Sequence, residues 1–394
     1  MRKRILSVLL AGMMVLGAGA VAFSVERAIV PDMNFIGDSI SLSLDQAVKI
    51  MQTEGSRAET AALNKASDEA IAKGHKESAQ SISNFLKEMP GSTPISIASM
   101  AEEMGMTEKN EKIVKMRRDF AKDQLEANYQ AELNEIEAMT IQVYYGVLQA
   151  EENLKVSKDN LDNQKTIYNN TMKKYKLGTV ARVDTLTAET QVLQAENQVA
   201  VAETAVKNAK MNFNLLLGYD LMQKVTLTDS LKMIEEPEGN LTGFIESALD
   251  NRNEIKGVAL GAEVQEILLK GLEYRYPKNS STYLKQESAT LQARKTAGDA
   301  PIQIELDIRA RYMDMADKKR AVSVAQAQLA NAKEGYRLAT ISYDAGMNTL
   351  TDVQQAQIIS FQAGQGVAKA ITDYDLAVYN FIHATGVWTT RLPL

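Results

Sequence analysis

The chain is written twice, and a long internal duplication leaves few folds open. Set against itself at an offset of 168, Tyr144, Leu161, Tyr168, Tyr175, Gly178, Asp184, Ala188, Phe213 and Gly218 meet Tyr312, Leu329, Tyr336, Tyr343, Gly346, Asp352, Ala356, Phe381 and Gly386. At an offset of 197, Val48, Met51 and Lys73-Gly74 meet Ile245, Ala248 and Lys270-Gly271. The offsets differ by 29, so the first copy carries an insertion of that size between Gly74 and Tyr144. The organisation so read is an extended segment at 25–42 and repeat 1 at 43–218, with its insertion at about 75–110 and a tip at about 177–184. A linker at 219–239 containing Pro237 and Gly239 follows. Repeat 2 covers 240–386, with a reduced insertion at about 277–301 and a tip at about 345–352, and a tail covers 387–394.

Within each copy the apolar residues recur at sevens. Val147, Leu154, Leu161, Tyr168 and Tyr175 precede the first tip; Val192, Val199, Val206 and Phe213 follow it. Val322, Leu329, Tyr336 and Tyr343 precede the second tip, and Val367, Tyr374 and Phe381 follow it. Sustained sevens predict helices that supercoil around neighbours. The expected fold is therefore mainly all-α: two long antiparallel coiled-coil hairpins, each turning at a glycine. Leu177-Gly178-Thr179 and Ala345-Gly346-Met347 are the turns, where glycine supplies a left-handed cap. Asp184 and Asp352 stand six residues after these glycines, where a carboxylate starts the next helix favourably against its dipole. A helix over 108–177 would run about 100 Å. Such a hairpin cannot bury its own seam, so it reads either as a stave of an oligomeric bundle or tube, or as an extended monomeric spacer.

Composition narrows function by exclusion. There are no cysteines, which removes disulfides, thiolate metal sites and a cysteine nucleophile. Two histidines (His75 and His383) make a His-rich site improbable, and packing or surface roles suit both. No nucleophile motif, phosphate loop or metal-ligand cluster appears, so neither an enzyme nor a cofactor is expected. Lys+Arg number 44 against 50 Asp+Glu, which disfavours a nucleic-acid surface. Arg2, Lys3 and Arg4 precede an uncharged run to Val25 that ends in Ala20-Val21-Ala22, a pattern for an export signal over 1–24, with an uncleaved anchor as the alternative. Without those three cations, 41 bases face 50 acids, a net charge of −9. No later run is apolar and long enough to span a membrane as a helix.

The signal, the duplication and the two Tyr-x-x-Gly-x-x-x-x-x-Asp tips together resemble the TolC-like outer-membrane factor (outer membrane efflux protein) family. Leu44-Asp45-Gln46-Ala47-Val48 resembles its opening helix, and Asn214-Leu215-Leu216-Leu217-Gly218 its closing element. The resemblance implies a homotrimer in the cell envelope, its two repeats per chain closing a pseudo-sixfold tube of twelve helices. It also implies docking by the tips (Leu177, Gly178, Thr179, Ala345, Gly346, Met347) on a periplasmic adaptor of an inner-membrane transporter. Asp352 stands where the family carries an aspartate ringing the closed pore mouth, and acidic rings favour cations. The family's second aspartate is Gln355 here, which weakens the ring. Tyr343 and Asp184 match residues that bond neighbouring helix pairs. The family's latch arginine is Asn348 here, and Arg182 is the candidate replacement. Helix capping alone is the competing role for Asp184 and Asp352.

The family's membrane-spanning barrel strands have no counterpart in the two insertion windows. In the first, Thr93 as cap, Pro94 and Gly105 read as the ends of a short helix. In the second, Gly298-Asp299-Ala300-Pro301 reads as a break before Ile302–Leu306 opens the next long helix. Little or no barrel is expected, and contact with an outer membrane stays open. Two functions follow: an exit duct of an export system, or a barrel-less envelope scaffold that transports nothing.

Overall fold

A computed structural model describes residues 34–89 and 95–394; the export signal, the cap Thr93 and Pro94 lie outside them. Among the described residues nine helices and two strands follow in chain order. They are β1 (Ile36–Leu42), α1 (Leu44–Thr53), α2 (Ser56–Glu88), α3 (Ile95–Glu103), α4 (Glu108–Lys176), α5 (Arg182–Leu217), β2 (Gln223–Leu227), α6 (Leu241–Asn251), α7 (Asn253–Glu273), α8 (Ser281–Asp344) and α9 (Leu350–Ala384). The fold is all-α apart from one parallel pair, β1 on β2, with Ile40 beside Val225 and Leu42 beside Leu227. A two-stranded pair of this length is no membrane barrel.

Two helices span the whole molecule. The 69-residue α4 and 64-residue α8 each run about 100 Å from the glycine tips to the opposite end. Shorter helices share each of them. Toward the tips, α5 lies on α4 (Lys165–Glu196, Lys210–Glu151) and α9 lies on α8. Beyond the middle, α2 takes over on α4 through Lys65–Glu126 and Asn64–Glu132, while α7 takes over on α8 through Gln265–Gln286 and Glu266–Arg294. Because α4 also packs on α9, the tipward wall of one chain has the order α5, α4, α9, α8.

The core is a belt where the helices change partners, and it too is duplicated. In repeat 1, Tyr144, Val147, Phe213 and Leu217 close over Ala47 and Met51 of α1; in repeat 2, Ile308, Phe381 and Ala384 close over Ile245 and Ala248 of α6. Tyr144 meets Phe213 edge-on with ring centroids 5.8 Å apart, and each such buried aromatic contributes a few kcal/mol through the apolar area removed from water. The Tyr144 hydroxyl donates to Asp229 (2.7 Å), which also accepts from the Leu44 backbone, pinning the linker to the start of α1. Burial raises the Tyr144 phenol far above its ordinary value, so it stays a donor.

A second weld joins the repeats. In segment 388–392 alternate carbonyls are taken by asparagine side chains: Trp388 by half-buried Asn134, and Thr390 and Leu392 by buried Asn253 and Asn128. Arg391 pairs with buried Asp68 (2.5 Å) and Glu132 (3.1 Å). Arg311 and Arg252 stack on Trp388. The weld thus ties α2 and α4 to α7 and α8.

One sequence expectation needs correction. Residues 298–301 do not break the chain: α8 runs through Pro301, and residues 281–301 of the expected insertion are its first turns. A proline inside a helix loses one backbone bond and crowds the preceding turn. Ile304, Ile308 and Met315, buried on one continuous face beyond it, offset that cost. The stripe of α4 buried within one chain toward the tip is not the apolar one. Ser157, Asn160, Gln164, Ile167 and Thr171 are buried, while Leu154, Leu161 and Tyr168 lie half-buried beside them and Tyr175 is exposed. The polar seam is bridged, with Asn160 accepting from Gln357 (3.1 Å) and donating to Gln198 (3.0 Å). The expected short helix in the first window exists as α3, and Gly105 follows it at φ 72°.

Candidate functional site

The residues that the sequence singles out for function lie at the two tips. Each begins as a helix that runs out at a glycine with φ of 76°, Gly178 after α4 and Gly346 after α8. The geometry is that of a Schellman cap: Thr179 N–H reaches back to Lys174 C=O (3.0 Å), and Met347 N–H to Ser342 C=O (2.9 Å). A side chain at either glycine would be strained in the left-handed conformation.

The outgoing helices start differently. At the second tip Thr349 and Asp352 form a full capping box. Asp352 N–H donates to the Thr349 hydroxyl oxygen (3.3 Å), while Thr349 N–H (2.9 Å) and its hydroxyl (2.7 Å) both donate to the Asp352 carboxylate. Those two donors hold the Asp352 carboxyl below the usual carboxylate range. At the first tip the residue in Thr349's place is Ala181, which has no side-chain acceptor. Only half the box survives, Ala181 N–H donating to Asp184 (3.1 Å). Both aspartates are thus helix caps in this chain.

Of the other residues expected to act here, Tyr343 is buried and the rest are at the surface. Its ring lies in a small apolar knot of Ile167 on α4, Ala188 on α5, and Leu350 and Val353 on α9. Its hydroxyl is 3.5 Å from the Thr171 hydroxyl and makes no bond to Asp184 within the chain. Tyr175, its counterpart in repeat 1, is exposed. Asn348, Gln355 and Arg182 are exposed, and Arg182 makes no ion pair among the described residues. Gly178, Thr179, Ala345 and Gly346 form the exposed apices. Flanking them, Leu177 is 78% and Met347 73% exposed.

The residue that joins the tips was not among those expected. The ammonium of Lys174, in the last turn of α4, lies 3.8 Å from the centre of the Tyr343 ring. It donates to the Tyr343 carbonyl (3.0 Å) and pairs with Asp344 (3.1 Å). One cation therefore meets a ring face, a helix-end carbonyl and a carboxylate of the other repeat. A signal existed in the duplication: α4 ends in Lys173, Lys174 and Lys176, while α8 ends with Ile341, Ser342 and Asp344 at the matching places.

Comparison with known proteins agrees with this architecture. The family model for outer membrane efflux proteins matches residues 116–219, the stretch from α4 through the first tip to the end of α5. No curated protein matches the chain in sequence. Among solved structures, the fold is similar to the Campylobacter jejuni CmeC outer membrane channel, with a TM-score of 0.63, 14% identity, and 88% of this chain and 86% of that one covered. It is also similar to the outer membrane protein VceC of Vibrio cholerae, with a TM-score of 0.61, 12% identity, and 88% and 97% covered. A membrane protein from Pseudomonas aeruginosa gives a TM-score of 0.61 and 14% identity, with 90% and 92% covered. At such identities the likeness is one of fold. The chain resembles TolC-like channels in fold along its length and in sequence over its first tip, and among the described residues there is one parallel pair of strands and no barrel.

Proposed function

We propose that the chain is the exit duct of an envelope export system. Three copies close into a tube of twelve helices, and the tips dock on a periplasmic adaptor served by an inner-membrane transporter. The observation that carries this reading is the state of the two outermost staves. The wall α5, α4, α9, α8 ends in two helices that each expose apolar residues spaced by nearly whole helical turns. Leu186 and Leu193, with Val201, line α5; Leu306, Met313, Val324 and Leu338 line α8. A spacer working alone would keep such stripes polar. Joining α8 of one copy to α5 of the next covers both and curves the wall toward closure, as a heterologous interface does when its rotation closes.

In the closed tube three Asp352 side chains face one another across the mouth, with Gln355 behind them. The Lys174 clamp does within each chain what the family's arginine does at the position occupied here by Asn348. Energy comes from the transporter, so the duct performs no chemistry. Leu177 and Met347 are the apolar contacts that the apices offer an adaptor.

The experiment is the mass of the chain from residue 25, measured by light scattering without detergent. A trimer is the expected result. A stable monomer would leave the alternative, an envelope scaffold, to which the one pair of strands among the described residues also lends itself. In cells, replacing Asp352 and Tyr343 together should loosen the mouth, and unchanged sensitivity to exported compounds would count against the duct.

A further inference from the structure

The belt carries a hollow that neither the tips nor the joint between copies uses. It lies between α4 and α9, the two middle staves, and has a volume of about 430 Å³. Met139 and Ile141 on α4, Leu376, Tyr379 and His383 on α9, and Trp388 of the tail form its walls. A smaller hollow of about 170 Å³ beside α1 shares Ile141 and Tyr379 with it, so the two make one groove. Largely apolar walls with a few polar groups, at this size, are the usual make-up of a small-molecule site.

Three features set the groove apart from a packing fault. Trp388 is the one residue other than glycine with a positive φ among the described residues, at 66°. So bulky a residue is strained there, and it is held by Asn134 at its carbonyl and by Arg311, 4.3 Å from its ring centre. His383 Nε2 is buried without a hydrogen-bond partner. Burial lowers the pKa of this imidazole against the opposing pull of Glu137, and a neutral imidazole can present Nε2 as an acceptor. The duplication supplies a control. At the offset of 168, Tyr379, His383 and Trp388 correspond to Met211, Leu215 and Asp220, so the fold itself does not call for them.

Charge selects the ligand. Asp45, Glu135 and Glu137 line the groove, and Asp375 is buried close to Tyr379. Against these four carboxylates stand Lys49 on α1 and Arg57, which reaches Glu135 at 3.9 Å. Glu137 is half-buried and makes no ion pair among the described residues. Arg252 and Arg311, stacked on Trp388, are matched by Glu254 and Asp307.

We propose that the groove binds a protonated amine carrying an aromatic body. The ammonium donates to the Glu137 carboxylate and to His383 Nε2, and the body lies against Tyr379, Trp388 and the aliphatic wall. One chain lines the whole groove, so the site stands apart from the duct reading.

Trp388 is the only tryptophan of the chain, and its fluorescence reports on the groove directly. The probe is phenethylamine, titrated into the mature chain without detergent, against the uncharged phenethyl alcohol and the anion hydrocinnamate. The expected result is a saturable change with the amine and one site per chain by calorimetry. The alcohol and the anion should bind at least about tenfold more weakly, as loss of a charged hydrogen bond implies. E137Q should weaken the amine by a similar factor, and so should H383L, which installs the residue of the other repeat. Circular dichroism on each variant separates lost folding from lost binding. Three results would overturn the proposal: no saturable change, equal affinity for amine and alcohol, or undiminished binding in both folded variants. Light scattering on the same samples keeps the two readings apart. A monomer that binds the amine would end the duct and keep the site, whereas a trimer that does not bind it would do the reverse.

Discussion

Lys174 and Asp375 are the two side chains whose surroundings say most about how this molecule is held. Lys174 satisfies three groups of the opposite repeat at once, and partly buried contacts of this kind are worth about 0.5–2 kcal/mol together. K174M should therefore leave the helix content intact and raise amide exchange over 340–350 by up to about tenfold; unchanged exchange there would show that the apolar knot alone holds the tips. Asp375 on α9 is fully buried at the belt. One carboxylate oxygen accepts from the Ile234 backbone of the linker (3.0 Å), and the other has no hydrogen-bond partner, although the Tyr145 hydroxyl stands close enough to interact. Burial raises its carboxyl from 3.8 to about 6. The folded chain then holds this proton more tightly than the unfolded one. Stability should fall as pH rises from about 4 to about 6 and level off above, by as much as about 3 kcal/mol from this group. D375N keeps an acceptor for Ile234 and removes the charge. It should be more stable than wild type at pH 8 and lose most of that slope in denaturant titrations.

At the level of elements, α8 carries the sharpest test, because a proline sits in the interior of a helix the fold keeps continuous. P301A restores the missing backbone bond and relieves the crowding at Ala297. It should stabilise the chain by about 1–3 kcal/mol and raise the midpoint of thermal unfolding followed by helical circular dichroism. A neutral effect would mean that the helix breaks at that point. The short helices tell a complementary story: α1 owes its position to Ala47 and Met51 in the first belt and α6 to Ile245, Ala248 and the Phe244 ring edge-on to Phe381 in the second, and their own propensity would not hold ten or eleven residues in place.

For the whole molecule, what matters is that the four-stave wall is open at both edges. L193E on α5 with V324E on α8 places carboxylates on both sides of the joint between copies, where burial would leave them unpaired. The expected outcome is a monomer by light scattering, with little change in the belt because neither residue touches it. A variant that stays trimeric would place the joint elsewhere.

How much of this was legible beforehand differs by element for physical reasons. The duplication, the two long hairpins, the left-handed glycines and the capping aspartates follow from the order of residues, because helix periodicity and cap geometry are decided within about seven residues of chain. The scarcity of strands was visible for the same reason. What the order of residues left open is which stripe of a helix is covered, since that depends on a neighbour far away in the chain. Tyr175 and Tyr343 occupy equivalent places in the repeats, yet only Tyr343 is buried, because only it is met by Lys174 and the knot from the other hairpin. The buried polar seam of α4, the passage of α8 through Pro301 and the stitching of 388–392 by three asparagines are likewise products of tertiary packing. There, burial of a continuous face outweighs the preference of a single residue.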